Sequence, residues 1–466
     1  MQHDCDVAVI GAGTAGLSAE SHARKHGART LLIDPDFKGT TCAHDGCMPS
    51  KLLIAAADAA HGARSAGFLG IHAEPRIDGP AVLARVRRLR DDFAGGVRKS
   101  IARLPEGVTL KGRAAFAGPG ELVLDTGDRV TARAVVIATG SAPFVPPPYR
   151  VAGDRLLTNE NVFELEDLPE SLGVIGAGII GLELAQAFAR LGVRVAVFDA
   201  ATAYAGLPDA TGSVLREALE REFPLHMGVK PEVTLEASGV RLAWEGRSDI
   251  FDKILVATGR PPNLKGLDLE KAGVAVSSKG VPLFDPDTLQ CGDSPIFIAG
   301  DANGARPLLH EASAEGTIAG RNAALYPEVA SRRQKVALAV TFTRPDCATV
   351  GALPEDGDPD IVTGTVDYAD QGRARTMGEA HGLLRIHARR TDGRLTGADL
   401  VAPGGEHLAH LLAWAIECGM SAGQVLEMPF YHPTLEEGLR SALRDVCRQL
   451  SEPAPWHRST LRDPGD

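Results

Sequence analysis

Two cysteines five positions apart, Cys42 and Cys47, are the residues of this chain best suited to two-electron chemistry. Residues five apart in a regular helix have Cα atoms roughly 8.6 Å apart, whereas a disulfide needs about 4.4–6.8 Å. The pair can close only where the segment is non-helical or distorted, and Gly46 supplies that freedom. Pro49 then fits the first turn of a following helix, whose N-terminus favours thiolate at Cys47. Two unpaired core cysteines or half a zinc site compete with this reading. No second Cys-x-x-Cys or histidine-rich cluster completes a zinc shell.

The other candidate is Tyr431-His432-Pro433-Thr434-Leu435-Glu436-Glu437. A histidine before a proline sits in extended backbone at a helix start. A carboxylate one turn into that helix can fold back on the imidazole, fixing its tautomer and raising its basicity. The residue types alone leave open a satisfied surface histidine.

These groups need a scaffold, and the chain repeats one. Residues 6–10 read as a strand buried on both faces. Gly11-Ala12-Gly13-Thr14-Ala15-Gly16, a helical stretch and a strand ending at Asp34 follow. Gly11 allows a tight turn, Gly13 lets backbone approach a pyrophosphate, and Gly16 lets helix and strand pack closely; Asp34 is placed to accept from a ribose. The arrangement recurs with strand 172–175, then Gly176-Ala177-Gly178-Ile179-Ile180-Gly181, then a strand ending at Asp199. First glycine and acid are 23 residues apart in both copies. Each copy is followed by a buried strand ending in Ala-Thr-Gly, at Ala138-Thr139-Gly140 and at Ala257-Thr258-Gly259. A third such strand, 295–300, ends at Asp301, where ligands bind in open α/β sheets.

Beyond about residue 335 the texture changes to strands (336–342, 382–387, 395–401) and then helices (406–419, 435–450), a separate α+β domain. The fold class expected is α/β: two Rossmann-like dinucleotide-binding domains plus a C-terminal α+β domain. The boundaries expected are 1–149, 150–268, 269–335 and 336–452, with a disordered polar tail at 453–466.

Composition narrows the setting. Sixty acidic against 49 basic residues give a formal charge of −11, which argues against nucleic acid or an anionic membrane as partner. The most apolar window, 172–198, contains Glu183, Gln186, Arg190 and Arg194 and does not read as a membrane span. Seven cysteines at irregular spacing, with no basic region before the first apolar run, argue for a cytoplasmic chain rather than a secreted disulfide framework.

Together these residues resemble the pyridine nucleotide–disulfide oxidoreductase family along nearly the whole chain. Gly39-Thr40-Thr41-Cys42-Ala43-His44-Asp45-Gly46-Cys47-Met48-Pro49-Ser50-Lys51 looks like its active-disulfide motif. The Pro-Ser-Lys ending is closer to dihydrolipoamide dehydrogenases and mercuric reductases than to glutathione reductases. Residues 298–302 resemble the flavin-binding motif, 309–316 the segment after it, and 432–437 the C-terminal base motif. The resemblance implies FAD held through Gly11, Gly13, Gly16, Asp34, Thr41, Lys51, Thr139, Gly140 and Asp301. It implies NAD held through Gly176, Gly178, Gly181, Glu183, Asp199 and Gly259, with Lys51 and Glu183 paired beside flavin and nicotinamide. It also implies a homodimer in which His432, partnered by Glu437, reaches the Cys42–Cys47 disulfide of the other subunit. The substrate expected is a dihydrolipoyl group on a lipoyl-bearing protein. Asp199 is followed by Ala200-Ala201-Thr202-Ala203-Tyr204, with no cation for a 2′-phosphate, so NAD rather than NADP is expected.

The sequence departs from the family pattern in two places. Ala43-His44-Asp45 replaces apolar or amide residues between the cysteines, either bearing on the thiols through charge or forming a solvated loop tip. Phe430-Tyr431 replaces the His-Ala that often precedes the base. A reductase of mercuric ion or of another disulfide is the nearest alternative. It is weakened by the lack of a C-terminal cysteine pair, only Cys447 lying near the end. A lipoyl-complex docking subunit with little turnover is the alternative from another class.

Overall fold

The computed structural model describes residues 1–331, 333–355 and 357–450; the tail expected at 453–466 lies outside them. The first unit contains β1 (Gln2–Ile10), α1 (Thr14–Lys25), β2 (Thr30–Asp34), α2 (Thr41–His44), α3 (Cys47–Ser65), α4 (Gly79–Ala102), β3 (Thr109–Lys111), β4 (Ala114–Gly118), β5 (Glu121–Leu124) and β6 (Arg129–Ile137). Strand order is β3-β2-β1-β6-β5-β4. β1 pairs in parallel with β2 and with the full length of β6. Val7, Ala8 and Val9 are completely buried, as a strand covered on both faces requires.

The second unit repeats the plan with β7 (Leu156–Leu157), β8 (Ser171–Ile175), α5 (Ile179–Arg190), β9 (Arg194–Asp199), α6 (Asp209–Leu219), β10 (Leu225–Met227), β11 (Glu232–Glu236), β12 (Gly239–Trp244), β13 (Arg247–Phe251) and β14 (Lys253–Val256). Its parallel sheet runs β10-β9-β8-β14-β7, and β11-β12-β13 form an antiparallel meander. Leu242 and Phe251 of the meander press on Gly173, where a Cβ would come within 2.8 Å of Leu242. The chain then returns through α7 (Leu269–Ala272) and β15 (Ile296–Ile298), which adds a parallel strand beside the C-terminal half of β6. α8 (Leu309–Leu325) packs on α1 so closely that Cβ atoms at Gly316 and Gly320 would strike the carbonyls of Ala15 and Ala19.

The third unit is the α+β domain: β16 (Leu338–Thr341), β17 (Asp346–Gly351), β18 (Ile361–Asp367), α9 (Gly372–Met377), β19 (Leu383–Arg389), β20 (Leu395–Ala402), α10 (Gly405–Glu417), α11 (Ala422–Leu426) and α12 (Glu437–Gln449). The antiparallel order is β16-β17-β20-β19-β18. Leu408, Leu412, Leu439, Leu443 and Val446 of α10 and α12 join sheet residues such as Leu384, Ile386, Ala398 and Leu400 in one core. On the opposite face Asp399 accepts from Thr211 of α6 at 2.7 Å and faces His387 Nε2 at 2.8 Å, pinning this domain to the second. Among the described residues no helix is long and apolar enough to cross a membrane.

Candidate active site

The strand-to-helix turns after β1 and β8 are built alike. A Cβ on Gly11 would lie 2.4 Å from Ala138 O, and one on Gly176 2.4 Å from Ala257 O. A Cβ on Gly16 or Gly181 would collide with the carbonyl of the first glycine of its own turn. Gly13 and Gly178, at the N-caps of α1 and α5, have nothing within 4 Å of a Cβ. Each turn therefore offers bare backbone N–H groups at a helix N-terminus, a cradle for a pyrophosphate. Asp34 accepts from Ala12 N at 2.9 Å and from Asp36 and Phe37 N; Asp199 accepts from Ala177 N at 2.6 Å and Ala201 N at 2.8 Å. Carboxylate oxygens accept about four bonds between them, so each acid keeps capacity for a ribose hydroxyl.

The two Ala-Thr-Gly ends lean on each other's domains. Gly140 O accepts from Asn263 N at 2.8 Å, and Gly259 O from Phe144 N at 3.0 Å. Thr139 Oγ1 is buried with no partner among the described residues, the orphan expected where a ligand completes the site. Asp301 accepts from Ser141 Oγ at 2.6 Å, leaving its second oxygen for a ligand hydroxyl. Beneath it Glu315, in α8, accepts from Gly300 N at 2.7 Å and Asn303 Nδ2 at 2.8 Å. Both cradles fit a dinucleotide.

The thiol pair lies at the junction of two helices. α2 carries Thr41, exposed, and Cys42. The helix breaks at Asp45 and Gly46 (φ −132°, ψ −117°), and α3 restarts with Cys47 as its first residue. No bond joins the two sulfurs here. The Cys42 thiol donates to the Cys47 sulfur, which raises Cys42; the same bond and the Lys51 charge pull Cys47 down to about 6 against partial desolvation by its neighbours. The helix N-terminus works in the same direction.

Lys51 Nζ lies 2.6 Å from Glu183 Oε2, which also accepts from Ser50 Oγ at 3.0 Å, while Glu183 Oε1 accepts from Phe342 N at 2.9 Å. The ammonium stands 4.3 Å from the centroid of the Phe342 ring. Glu183 opens a buried polar ladder along α5. Gln186 bonds both Arg344 N and O at 2.8 and 2.9 Å, and Arg190 pairs with Asp58 of α3 and with Glu222. The sequence marks this ladder only as three polar residues at helical spacing in an apolar window. Ser50, Phe342, Gln186 and Arg190 were not expected to contribute.

His44 and Asp45 do not form a solvated loop tip. Asp45 is buried, lies 2.5 Å from His44 Nδ1 and 3.6 Å from Lys38 Nζ, and its carbonyl accepts from Asn159 Nδ2 at 2.9 Å. Arg260 donates to Asn159 Oδ1 at 2.7 Å and to Ser141 O at 2.8 Å. The redox loop is thereby tied through both nucleotide domains to Ser141 and Asp301.

His432 and Glu437 meet as a pair, with Nδ1 at 2.9 and 3.1 Å from the carboxylate oxygens. Burial pushes the Glu437 carboxyl up, but hydrogen bonds from His432 and Thr434 N outweigh it and hold it below the usual range. The imidazole side chain is 82% exposed. Among the described residues it makes no hydrogen bond to either thiol of its own chain.

Two dinucleotide cradles and a close cysteine pair, whose helix is tied through Lys51 to Glu183 on the helix of the second cradle, mark a nucleotide-dependent thiol–disulfide oxidoreductase. The chain belongs to the pyridine nucleotide-disulphide oxidoreductase family: residues 5–316 match that family and residues 338–443 its dimerisation domain. FAD and NAD(H) are the cofactors of this family. The chain is 32% identical to dihydrolipoyl dehydrogenase 2 of Haloarcula marismortui, over 94% of this chain and 95% of that one. It is 33% identical to a mercuric reductase of Acidithiobacillus ferrooxidans, over 96% of this chain and 83% of that one. Among solved structures it is similar to LpdA of Mycobacterium tuberculosis, with TM-score 0.82, 28% identity and coverage of 94% and 99%.

Proposed function

We propose that the protein is a homodimeric dihydrolipoyl dehydrogenase, passing two electrons from a dihydrolipoyl group on a lipoyl-bearing protein to NAD+. The observation that carries this is the His432–Glu437 pair: a base fully oriented by a carboxylate 2.9 Å away, yet turned outward from its own chain. Such a base serves a thiol it does not touch within one subunit, and the dithiol of a second copy is the group that needs it.

In this reading His432 takes the proton of a substrate thiol, whose thiolate attacks Cys42 of the oxidised pair. The Cys42–Cys47 bond breaks and a mixed disulfide forms. The second substrate thiol attacks its own sulfur in that mixed disulfide and passes its proton to the departing Cys42 sulfur, releasing the lipoyl ring and leaving Cys42 as thiol, Cys47 as thiolate and the first proton on His432. Lys51 holds the Cys47 thiolate charge, and Glu183 holds Lys51. Bound flavin supplies the relay by which the electron pair reaches nicotinamide in the second cradle. The balance is dihydrolipoyl plus NAD+ giving lipoyl, NADH and one proton.

The test is anaerobic NAD+ reduction by dihydrolipoamide with the FAD-loaded dimer, repeated with NADP+ and with Cys47→Ser. Rapid NADH formation lost in the variant supports the reading. Bound FAD without turnover sinks free dihydrolipoamide as substrate, and NADPH-driven reduction of mercuric ion in its place would move the assignment to a mercuric reductase.

A further inference from the structure

His432 hangs from its own chain by little. Its ring meets Glu437, and the same carboxylate accepts from Thr434 N at 3.0 Å. Tyr431, just before it, is 82% exposed. The place of the imidazole is therefore set by whatever fixes the backbone of residues 434–437. Two side chains from one neighbouring element do this. Tyr368 is fully buried and donates its hydroxyl to Leu435 O at 3.1 Å. Its ring covers Gly438, where a Cβ would come 2.4 Å from the phenol oxygen. Gln371 donates its amide nitrogen to Thr434 O at 2.6 Å, while its amide oxygen accepts from Ala374 N at 2.7 Å and caps α9. Consecutive carbonyls of the base-bearing turn are thus gripped by one short segment, and that segment is continuous with β18 of the antiparallel sheet.

We infer that Tyr368 and Gln371 are the positioning residues of the base, holding the 432–437 turn at the height from which His432 meets a thiol on a second copy of this chain. The inference rests on the assignment of His432 as the base. The two ends of the Gln371 amide do separate work, which makes the idea testable without breaking the fold. Gln371→Glu keeps an oxygen to cap α9 and replaces the donor to Thr434 O with an oxygen that repels it. Tyr368→Phe keeps the ring over Gly438 and removes only the hydroxyl. A catalytic group displaced by about 1 Å can lose roughly a hundredfold in rate, so a loosened turn is expected to lower thiol-driven turnover by roughly ten- to a hundredfold.

The experiment compares wild type, Gln371→Glu, Tyr368→Phe and His432→Gln as FAD-loaded dimers. Each is assayed for dihydrolipoamide-driven NAD+ reduction across pH and for NADH-driven reduction of ferricyanide, which needs neither thiol nor base. Lower thiol-driven kcat with an altered pH profile, at unchanged ferricyanide rate and melting temperature, is the expected result in both positioning variants. Equal loss of both activities would mark a merely structural role and overturn the inference. So would wild-type thiol turnover in Gln371→Glu and Tyr368→Phe while His432→Gln is inactive, which leaves the base assignment standing. Full thiol turnover in His432→Gln would remove the base assignment, and this inference with it.

Discussion

The ammonium of Lys51 lies 2.6 Å from the carboxylate of Glu183, joining the helix that begins at Cys47 to the helix that begins at the second glycine turn. Both groups act on Cys47, in opposite directions: Lys51 lowers its thiol and Glu183 raises it. Lys51→Met should therefore move the thiolate titration upward by about one unit, and Glu183→Gln should move it down by a fraction of one. The measurement is a pH titration of the long-wavelength absorbance of the thiolate beside oxidised flavin in the two-electron-reduced enzyme. Shifts of the same sign in both variants would show that Lys51 and Glu183 act on Cys47 through packing rather than charge.

In the proposed mechanism His432→Gln removes the proton acceptor, and it should lower thiol-driven turnover roughly 10²- to 10⁴-fold, the usual range for a general base. Glu437→Gln leaves the imidazole in place and should cost only about tenfold. Because the Glu437 carboxyl is held below its usual range by His432 and Thr434, the pair persists through mildly acidic pH and is lost only as pH falls through that depressed value. Steady-state rates from pH 5 to 9 check both variants, and a larger loss in Glu437→Gln than in His432→Gln would reverse the roles.

Much of this was legible because strand–turn–helix units declare themselves locally. Gly11 and Gly176 are forced by carbonyls 2.4 Å from where a Cβ would sit, and no other residue type fits there. Glu183, Gln186 and Arg190 show the limit. In the sequence they are polar interruptions of an apolar helix, whereas in the fold all three are buried against two other domains. Their partners lie as far away in sequence as Arg344 and Phe342, and pairing across such distances has no local signature. Arg194 stands in the same apolar window and is exposed, pairing with Asp249, so polarity alone could not sort structural from surface charge. Asp45 stayed open between two readings for a related reason. A carboxylate between two cysteines reads as solvated until Lys38, His44 and Asn159 are brought around it.

Glu315 gives the fold a pH dependence. Burial pushes its carboxyl up to about 7, beyond what hydrogen bonds from Gly300 N and Asn303 offset. A carboxyl raised on folding favours the folded state below its unfolded value near 4.5 and loses that contribution as pH rises through about 7. The difference is of order 3 kcal/mol. Asp346, raised to about 6 mainly by burial, adds a similar loss at lower pH. Glu315→Gln should therefore raise the melting temperature at pH 8 and change it little at pH 5. An equal change at both pH values would mean that packing, not ionisation, dominates there.

The proposed preference for NAD+ is assigned to Asp199. Its oxygens are fixed by Ala177 N and Ala201 N at the end of β9, so the carboxylate cannot swing away from a ribose in the second cradle. A 2′-phosphate brought there meets an immobile like charge, and residues 200–204 provide no cation to offset it. Two charges at about 4 Å repel by up to about 4 kcal/mol near a protein surface, and partial exposure of Asp199 reduces this. Wild type should therefore favour NAD+ over NADP+ by roughly a hundredfold in kcat/KM. Asp199→Ser removes the charge and the ribose acceptor together, so NAD+ should lose about tenfold while NADP+ gains, and the ratio should fall toward unity. Steady-state kinetics with both coenzymes measure that ratio directly. A ratio unchanged in the variant would place the discrimination elsewhere in the second cradle.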